Sequence, residues 1–217
     1  FKGEKASKSR GIGTPVLEYL DTYQPDALRY AIAANLPEYT DTDISEAELV
    51  RRINDELAND WGNLVNRVVT MTRRNFDDAV PEPGELAAAD RDLLARIDAL
   101  LADEATALER VELRRALKLA LEAAQATNAY LNQLEPWKTA KTDQQRTATT
   151  LHTAVQAVNA IKLAFAPFTP FSSQAIHTLL GQEGELAGRG WQREEVAAGT
   201  PLGQPEPLFR KMDVPEQ

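Results

Sequence analysis

The sequence predicts an all-α protein folded as an antiparallel helix bundle. From residue 45 onward, apolar residues recur at spacings of three and four over long stretches, which places them on one face of a helix. Prolines and glycines interrupt these stretches at few points, so we expect short connections between neighbouring helices. The sequence has neither convincing strand alternation nor an internal repeat of fixed period, which argues against a solenoid.

The first long helix is predicted to run from Ser45 to about Asn75. Ser45 and Glu48 have the spacing of a capping box, in which each side chain accepts a hydrogen bond from the other residue's backbone N–H. The apolar stripe that follows consists of Leu49, Ile53, Leu57, Trp61, Leu64 and Val68. We assign Trp61 to the core on this pattern, whereas Trp191 has no periodic context and stays unassigned.

Four more helices are predicted after the segment VPEPGE, whose prolines and glycine break the chain. The three long ones have expected spans of about 86–101, 105–134 and 145–164. A shorter helix ends at Leu180, before Gly181 in the usual C-terminal glycine position. The glycine- and proline-rich remainder predicts an extended tail that packs back on the body.

The first 44 residues have a different character. The stretch PVLEYLDTYQPDALRYAIAANLPEYTDTDIS predicts two short amphipathic helices, separated at Gln24–Pro25 and ended near Leu36–Pro37. They are too short to fold alone, so we expect them to be the end of a domain whose larger part lies upstream. The expected division of the chain is 1–44, 45–180 for the helical bundle and 181–217 for the tail.

Composition excludes several classes of function. The chain of 217 residues has no cysteine, so it holds neither a disulfide nor a cysteine-based zinc site. No apolar run approaches the roughly 20 residues that span a bilayer. His152 and His177 have no carboxylates at ligand spacing, so we place them on helix surfaces and expect no metal site. These features favour a cytoplasmic protein without membrane contact.

The charge is unevenly distributed, which matters for nucleic-acid binding. A formal net charge of −9 argues against such a partner, yet residues 61–76 carry three arginines and no acid. The opening stretch EKASKSRGIGTP also sets cations among serines and glycines. Lysines on such a loop suit the stabilisation of charge that develops on phosphate oxygens. The alternative is a basic terminus without a specific ligand.

A polar stripe lies beside the apolar face of the first long helix. At about 100° per residue it contains Asn63, Arg67, Thr70 and Arg74. An amide and a guanidinium one turn apart can read a base edge, although a solvated helix face would have the same pattern. Trp137 follows Glu135–Pro136 at a helix end, where an indole serves either the core or base stacking.

Four segments resemble one family. KASKSRG with LEYLDTYQPDALRYAI resembles the Lys-Met-Ser-Lys-Ser loop of class I aminoacyl-tRNA synthetases and the helix behind it. VRRINDELANDWGNLVNRV and YLNQLEPWKTAK are similar to the anticodon-binding bundle of the methionyl members, and GTPLGQPEPLFRKM to their ending. The matches cover essentially the whole chain in the family's order. Ala6 stands where methionine is usual in the loop, and Arg210 where proline is usual.

The resemblance implies site residues. Lys5 and Lys8 would be catalytic, and ATP would be bound by Lys5, Ser7, Lys8 and Ser9. The anticodon CAU of methionine tRNA would be bound by three residues, with Trp137 stacked on the first base and Asn63 and Arg67 reading base edges. Phosphate contacts are expected from Arg74 and Lys138.

The resemblance further implies the C-terminal part of a methionine–tRNA ligase, which uses methionine, tRNA and ATP with Mg²⁺. We expect this piece alone to be inactive, because the family's first signature, methionine pocket and zinc insert lie upstream, and we expect a monomer. One alternative is the anticodon domain of another class I synthetase, for leucine, isoleucine, valine or cysteine. Another is a non-catalytic helical interaction module.

Overall fold

The computed structural model describes residues 16–38 and 45–213. In chain order, this part contains helices α1 Val16–Leu20, α2 Pro25–Ala34, α3 Glu46–Arg52, a π-helical segment Ile53–Gly62, α4 Asn63–Asn75, α5 Ala88–Glu109, α6 Leu113–Leu134, α7 Pro136–Thr139, α8 Gln144–Phe165 and α9 Pro170–Leu179. No β-strand forms within these residues; a single bridge pairs Ala79 with Pro201. The predicted all-α bundle is confirmed.

Helix α3, the π-helical segment and α4 form one continuous rod, called the long helix below (residues 46–75). The Ser45 half of the predicted capping box is confirmed, because Ser45 Oγ accepts a hydrogen bond from the Glu48 N–H at 3.2 Å. The Glu48 carboxylate forms ion pairs with Arg51 and Arg52. The sequence did not predict the π-helical stretch, in which the Asn63 N–H bonds to the Ala58 carbonyl five residues back.

The predicted boundary between the second and third long helices is wrong. Helix α5 continues to Glu109, and α6 begins only at Leu113. Residues 102–109, by which α5 exceeds the prediction, are mostly alanine, leucine and glutamate, which favour helix, and they contain no breaker. The turn instead forms at Val111, which adopts a left-handed backbone with φ 58°, and the Glu112 N–H bonds to the Ala107 carbonyl at 2.9 Å.

Helix α8 is the centre of the bundle and is buried along nearly its whole length. Helices α5, α6 and α9 and the long helix pack around it. Trp61 is fully buried and stacks on Phe165 of α8, with ring centroids 4.9 Å apart and planes 7° from parallel. The assignment of Trp61 to the core is confirmed. Tyr30 brings α2 into the same core, with its ring centroid 6.4 Å from that of Phe165.

The predicted surface positions of the two histidines are wrong. His152 is 6% exposed and its Nδ1 lies 2.9 Å from the Pro81 carbonyl oxygen, while His177 is fully buried beside Lys162. Both are enclosed because neighbouring segments surround α8 and cover the inner face of α9. Helical periodicity cannot indicate this, since it identifies one apolar face and not a helix that is covered all round.

The segment after α9 packs back on the bundle. Gly181 adopts φ 72° and ends α9 as predicted. The Gln156 side-chain amide exchanges two hydrogen bonds with the Val196 backbone, at 2.8 and 2.9 Å. Trp191, unassigned from sequence, donates from Nε1 to the Leu101 carbonyl at 2.8 Å. Across residues 16–38 and 45–213, no helix is both long and apolar enough to cross a membrane.

Candidate nucleic-acid interface

A sharp turn after α6 presents Trp137 at a corner of the bundle. Helix α6 ends at Leu134, and Glu135 takes a left-handed backbone with φ 47° and ψ 55°. Pro136, whose fixed φ suits the first position of a helix, then starts α7. This leaves Trp137 40% exposed, with its neighbour Lys138 ion-paired to Glu135 at 2.7 Å.

Arg67 of the long helix lies next to this exposed ring. Its Cζ is 5.9 Å from the Trp137 ring centroid, within the range of a cation–π contact. On its other side, Nη2 donates a 3.0 Å hydrogen bond to Asn128 Oδ1 of α6. Burial lowers the pKa of Arg67, but a guanidinium stays charged in proteins. The cation is therefore half-buried and held on two sides.

Asn128 is a site residue that the sequence analysis missed. Besides accepting from Arg67, it donates from Nδ2 to the Asp60 carbonyl oxygen at 2.8 Å, in the π-helical segment. One amide thus fixes the Arg67 side chain and fastens α6 to the long helix. The available signal was an asparagine inside an alanine-rich helix, because asparagine is a weak helix former that needs a reason to be there.

Asn63 and Arg67 line one open groove of about 540 Å³. The remaining lining is largely amide and hydroxyl, from Asn59, Asn66, Thr70, Met71 and Asn128. Asn63 is exposed, and among the described residues its Nδ2 has only a long 3.4 Å contact, to Asn59 Oδ1. A side-chain amide offers both donor and acceptor, so Asn63 can pair with the polar edge of a base.

The structure therefore places Asn63, Arg67 and Trp137 at one site, with Thr70 on the groove wall. Arg74 is exposed on α4 beyond the residues that line the groove, and Lys138 follows Trp137 on α7. The loop residues Lys5, Ser7, Lys8 and Ser9 lie outside the described residues.

A buried polar network fixes the end of α6 that carries the Trp137 corner. The fully buried Asp90 carboxylate of α5 accepts hydrogen bonds from Arg146 of α8, from the Tyr130 hydroxyl of α6 at 2.6 Å and from the Ala87 N–H at 2.7 Å. Burial by itself raises the pKa of Asp90, but these hydrogen bonds outweigh it and hold the pKa below its ordinary value. The charged pair thus ties three helices together one turn before Glu135.

An open groove of amides and an arginine, with an exposed indole next to that arginine, suits unstacked bases more than a duplex. Two family profiles match the chain and agree with this chemistry. The family described as "tRNA synthetases class I (M)" matches residues 1–69, and "Anticodon binding domain of methionyl tRNA ligase" matches residues 80–217. Fold and family profiles thus define a helical domain of a class I tRNA synthetase.

More specifically, the chain belongs to the methionyl-tRNA ligase family through its anticodon-binding domain. It is 41% identical to the methionine–tRNA ligase of Roseiflexus castenholzii (98% of this chain, 40% of the relative) and 42% identical to that of Beutenbergia cavernae (98% and 39%). The Mycobacterium tuberculosis methionyl-tRNA synthetase in complex with methionyl-adenylate superimposes with a TM-score of 0.88 at 33% identity, covering 96% of this chain and 42% of that one. The chain spans about two fifths of the length of these relatives.

The family assignment favours the methionyl interpretation over the other two. The profile that covers residues 80–217 is specific to the methionyl ligase, which argues against a leucine, isoleucine, valine or cysteine enzyme. It also argues against the non-catalytic helical interaction module. The predicted division of the chain at 44/45 and 180/181 stays a prediction.

Proposed function

We propose that this bundle binds the CAU anticodon of methionine tRNA as part of a methionine–tRNA ligase. The observation that carries the proposal is the placement of Arg67 between the Trp137 ring and Asn128, in the groove that Asn63 lines. The exposed indole offers a stacking surface for the first anticodon base. The amide of Asn63 and the fork of Arg67 then pair with base edges.

Binding of RNA hairpins that carry CAU or an altered anticodon tests this function. We expect the wild-type chain to prefer the CAU hairpin. Asn63→Ala and Arg67→Ala should each weaken CAU binding by about 1–3 kcal/mol and reduce the difference in affinity between the CAU and altered-anticodon hairpins. Arg74→Ala removes an expected phosphate contact and should weaken binding of all hairpins alike. Arg96→Ala, at an exposed ion pair with Glu122, serves as the control without effect. Equal wild-type affinity for both hairpins would refute the proposal.

In the whole protein we further propose that Lys5, Ser7, Lys8 and Ser9 bind ATP, with Mg²⁺, during amino-acid activation. The support is the match of residues 1–69 to the class I synthetase family, together with the methionyl-adenylate named for the M. tuberculosis relative. Methionine would attack the α-phosphate of ATP, giving methionyl-adenylate and pyrophosphate. Lys5 and Lys8 would stabilise the negative charge on the departing pyrophosphate.

The loop's role predicts that Lys8→Ala, made in the complete ligase, slows adenylate formation by roughly a hundredfold. The Michaelis constant for methionine should change little, because the interaction strengthens chiefly in the transition state. Methionine-dependent pyrophosphate–ATP exchange measures both quantities. An unchanged activation rate would remove the loop from the mechanism. The cytoplasmic, monomeric state expected from the sequence stays a prediction for the complete protein.

A further inference from the structure

The groove at Asn63 and a second pocket at Arg52 both lie along the contact between the long helix and α6. We call this contact the seam. The long helix contributes Arg52, Glu56, Asp60, Asn63 and Arg67, and α6 contributes Arg114, Lys118, Leu121, Gln125 and Asn128. Both sets recur at spacings of three and four, so each forms one stripe of its helix. The seam therefore joins two pockets on one face of the bundle.

The far end of the seam is a cationic pocket of about 200 Å³. Arg52, Arg114 and Lys118 line it against a single carboxylate, Glu56. Glu56 binds Arg52 at 3.0 Å, which leaves the exposed side chains of Arg114 and Lys118 without a partner among the described residues. Glu48 also pairs with Arg52, and the Glu38 carboxylate accepts a hydrogen bond from the Arg114 backbone N–H at 2.8 Å, so what distinguishes this pocket is two cationic side chains without an ion pair in the described part of the chain.

The middle of the seam has the opposite character. Asp60 Oδ2 accepts a hydrogen bond from Gln125 Nε2 at 2.9 Å, so a carboxylate lies between the two pockets. A phosphate is repelled at this point and attracted at the cationic end. Asp60 thus lies between the groove at Asn63 and Arg67 and the pocket at Arg114 and Lys118.

We infer that Arg114 and Lys118 bind backbone phosphates of the anticodon arm whose bases occupy the groove at Asn63; this inference rests on the proposed function. Along α6, at about 1.5 Å per residue, Lys118 lies roughly 15 Å and Arg114 roughly 21 Å from Asn128. At about 3.4 Å per stacked nucleotide this is roughly four to six nucleotides, a distance within one hairpin arm. The phosphate contacts supply affinity and register, and the bases supply specificity.

Salt dependence of hairpin binding tests the inference. The double variant Arg114→Gln/Lys118→Gln should bind the CAU hairpin about tenfold more weakly at 0.1 M salt. The slope of log affinity against log salt should lose about 1.5, since each phosphate contact contributes about 0.7–0.9. The ratio of affinities for the CAU and altered-anticodon hairpins should stay at the wild-type value. Lys118→Gln alone should show about half of the change in slope.

The matched control is Arg91→Gln/Arg193→Gln, which removes two positive charges on the α5 side, outside the seam. It should leave both affinity and slope close to wild type. If the wild type prefers CAU but the Arg114/Lys118 variants keep its affinity and slope, the inference fails while the proposed function stands. A cationic pocket that serves an acidic protein segment would give that result. A wild type without preference would refute the proposed function itself.

Discussion

Trp61 and Trp137 occupy opposite environments in the same bundle. Trp61 is fully buried and lies parallel to the Phe165 ring at 4.9 Å. Trp137 is 40% exposed and has a guanidinium 5.9 Å from its ring centroid. Trp61 lies inside a helix, where its direction follows from the apolar stripe, whereas Trp137 lies at a turn that redirects the chain. The comparison teaches that the same side chain stabilises the fold in one place and stays available to a ligand in the other.

The largest effects are expected when each of the two tryptophans is substituted separately. Trp61→Ala should cost about 3–5 kcal/mol of unfolding free energy, because it leaves a cavity against Phe165. Trp137→Ala should change stability little and weaken hairpin binding by about 1–3 kcal/mol, with Trp137→Phe retaining part of it. Denaturant unfolding and hairpin affinity, measured on the same samples, make the comparison. A large loss of stability in Trp137→Ala, with the anticodon preference intact, would show that Trp137 is a core residue and does not bind the anticodon.

A second prediction concerns a buried carboxyl group. Unlike Arg67, which is hydrogen-bonded to Asn128, this group has one oxygen without a partner among the described residues. Glu104 of α5 is 1% exposed, its Oε1 has no hydrogen-bond partner among the described residues, and burial raises its pKa to about 9. Unfolded, Glu104 releases its proton near pH 4.5, whereas the folded protein keeps it. The free energy of unfolding is therefore highest, as far as Glu104 is concerned, below pH 4.5. It falls as the pH rises towards 9, by about 3 kcal/mol between pH 4.5 and 7.

Glu104→Gln removes this titration, so its unfolding free energy should depend less on pH than that of the wild type and exceed it at pH 8. Glu109→Gln, at an exposed position on the same helix, should keep the wild-type pH dependence and is the matched control. Denaturant unfolding from pH 5 to 8 measures the difference. Parallel curves for wild type and Glu104→Gln would show that the carboxyl is ionised in the folded protein.

The smallest effect is expected from Asn128, which supports the exposed side of the comparison. Asn128→Ala removes the hydrogen bond that orients Arg67, so CAU binding should weaken by about 1 kcal/mol and anticodon preference should narrow. The double variant Asn128→Ala/Arg67→Ala should lose less binding free energy than the sum of the two single losses, since both substitutions act through the Arg67 side chain. Asn132→Ala, exposed one turn further on, is the control. Full additivity would mean that Asn128 acts independently of Arg67.

Local sequence patterns predicted most of the architecture. The three- and four-residue spacing indicated a helical bundle and placed Trp61 in its core, and Ser45 and Gly181 marked helix ends correctly. The same spacing put Asn63 and Arg67 on one stripe, and the Glu135–Pro136 break placed Trp137 at a helix end. These are properties of neighbouring residues, which backbone geometry and steric exclusion determine within a turn or two.

Tertiary structure alone decided how those elements meet. It buried His152 on α8, which is covered on all sides, and His177 on α9. It also joined Arg67 to Asn128, which are 61 residues apart in the sequence. It also aligned the stripes of the long helix and α6 into one seam. A helical period identifies which residues share a face, but not which other face packs against it. That choice depends on burial and hydrogen bonding summed over the whole bundle, so it becomes visible only when the helices are assembled.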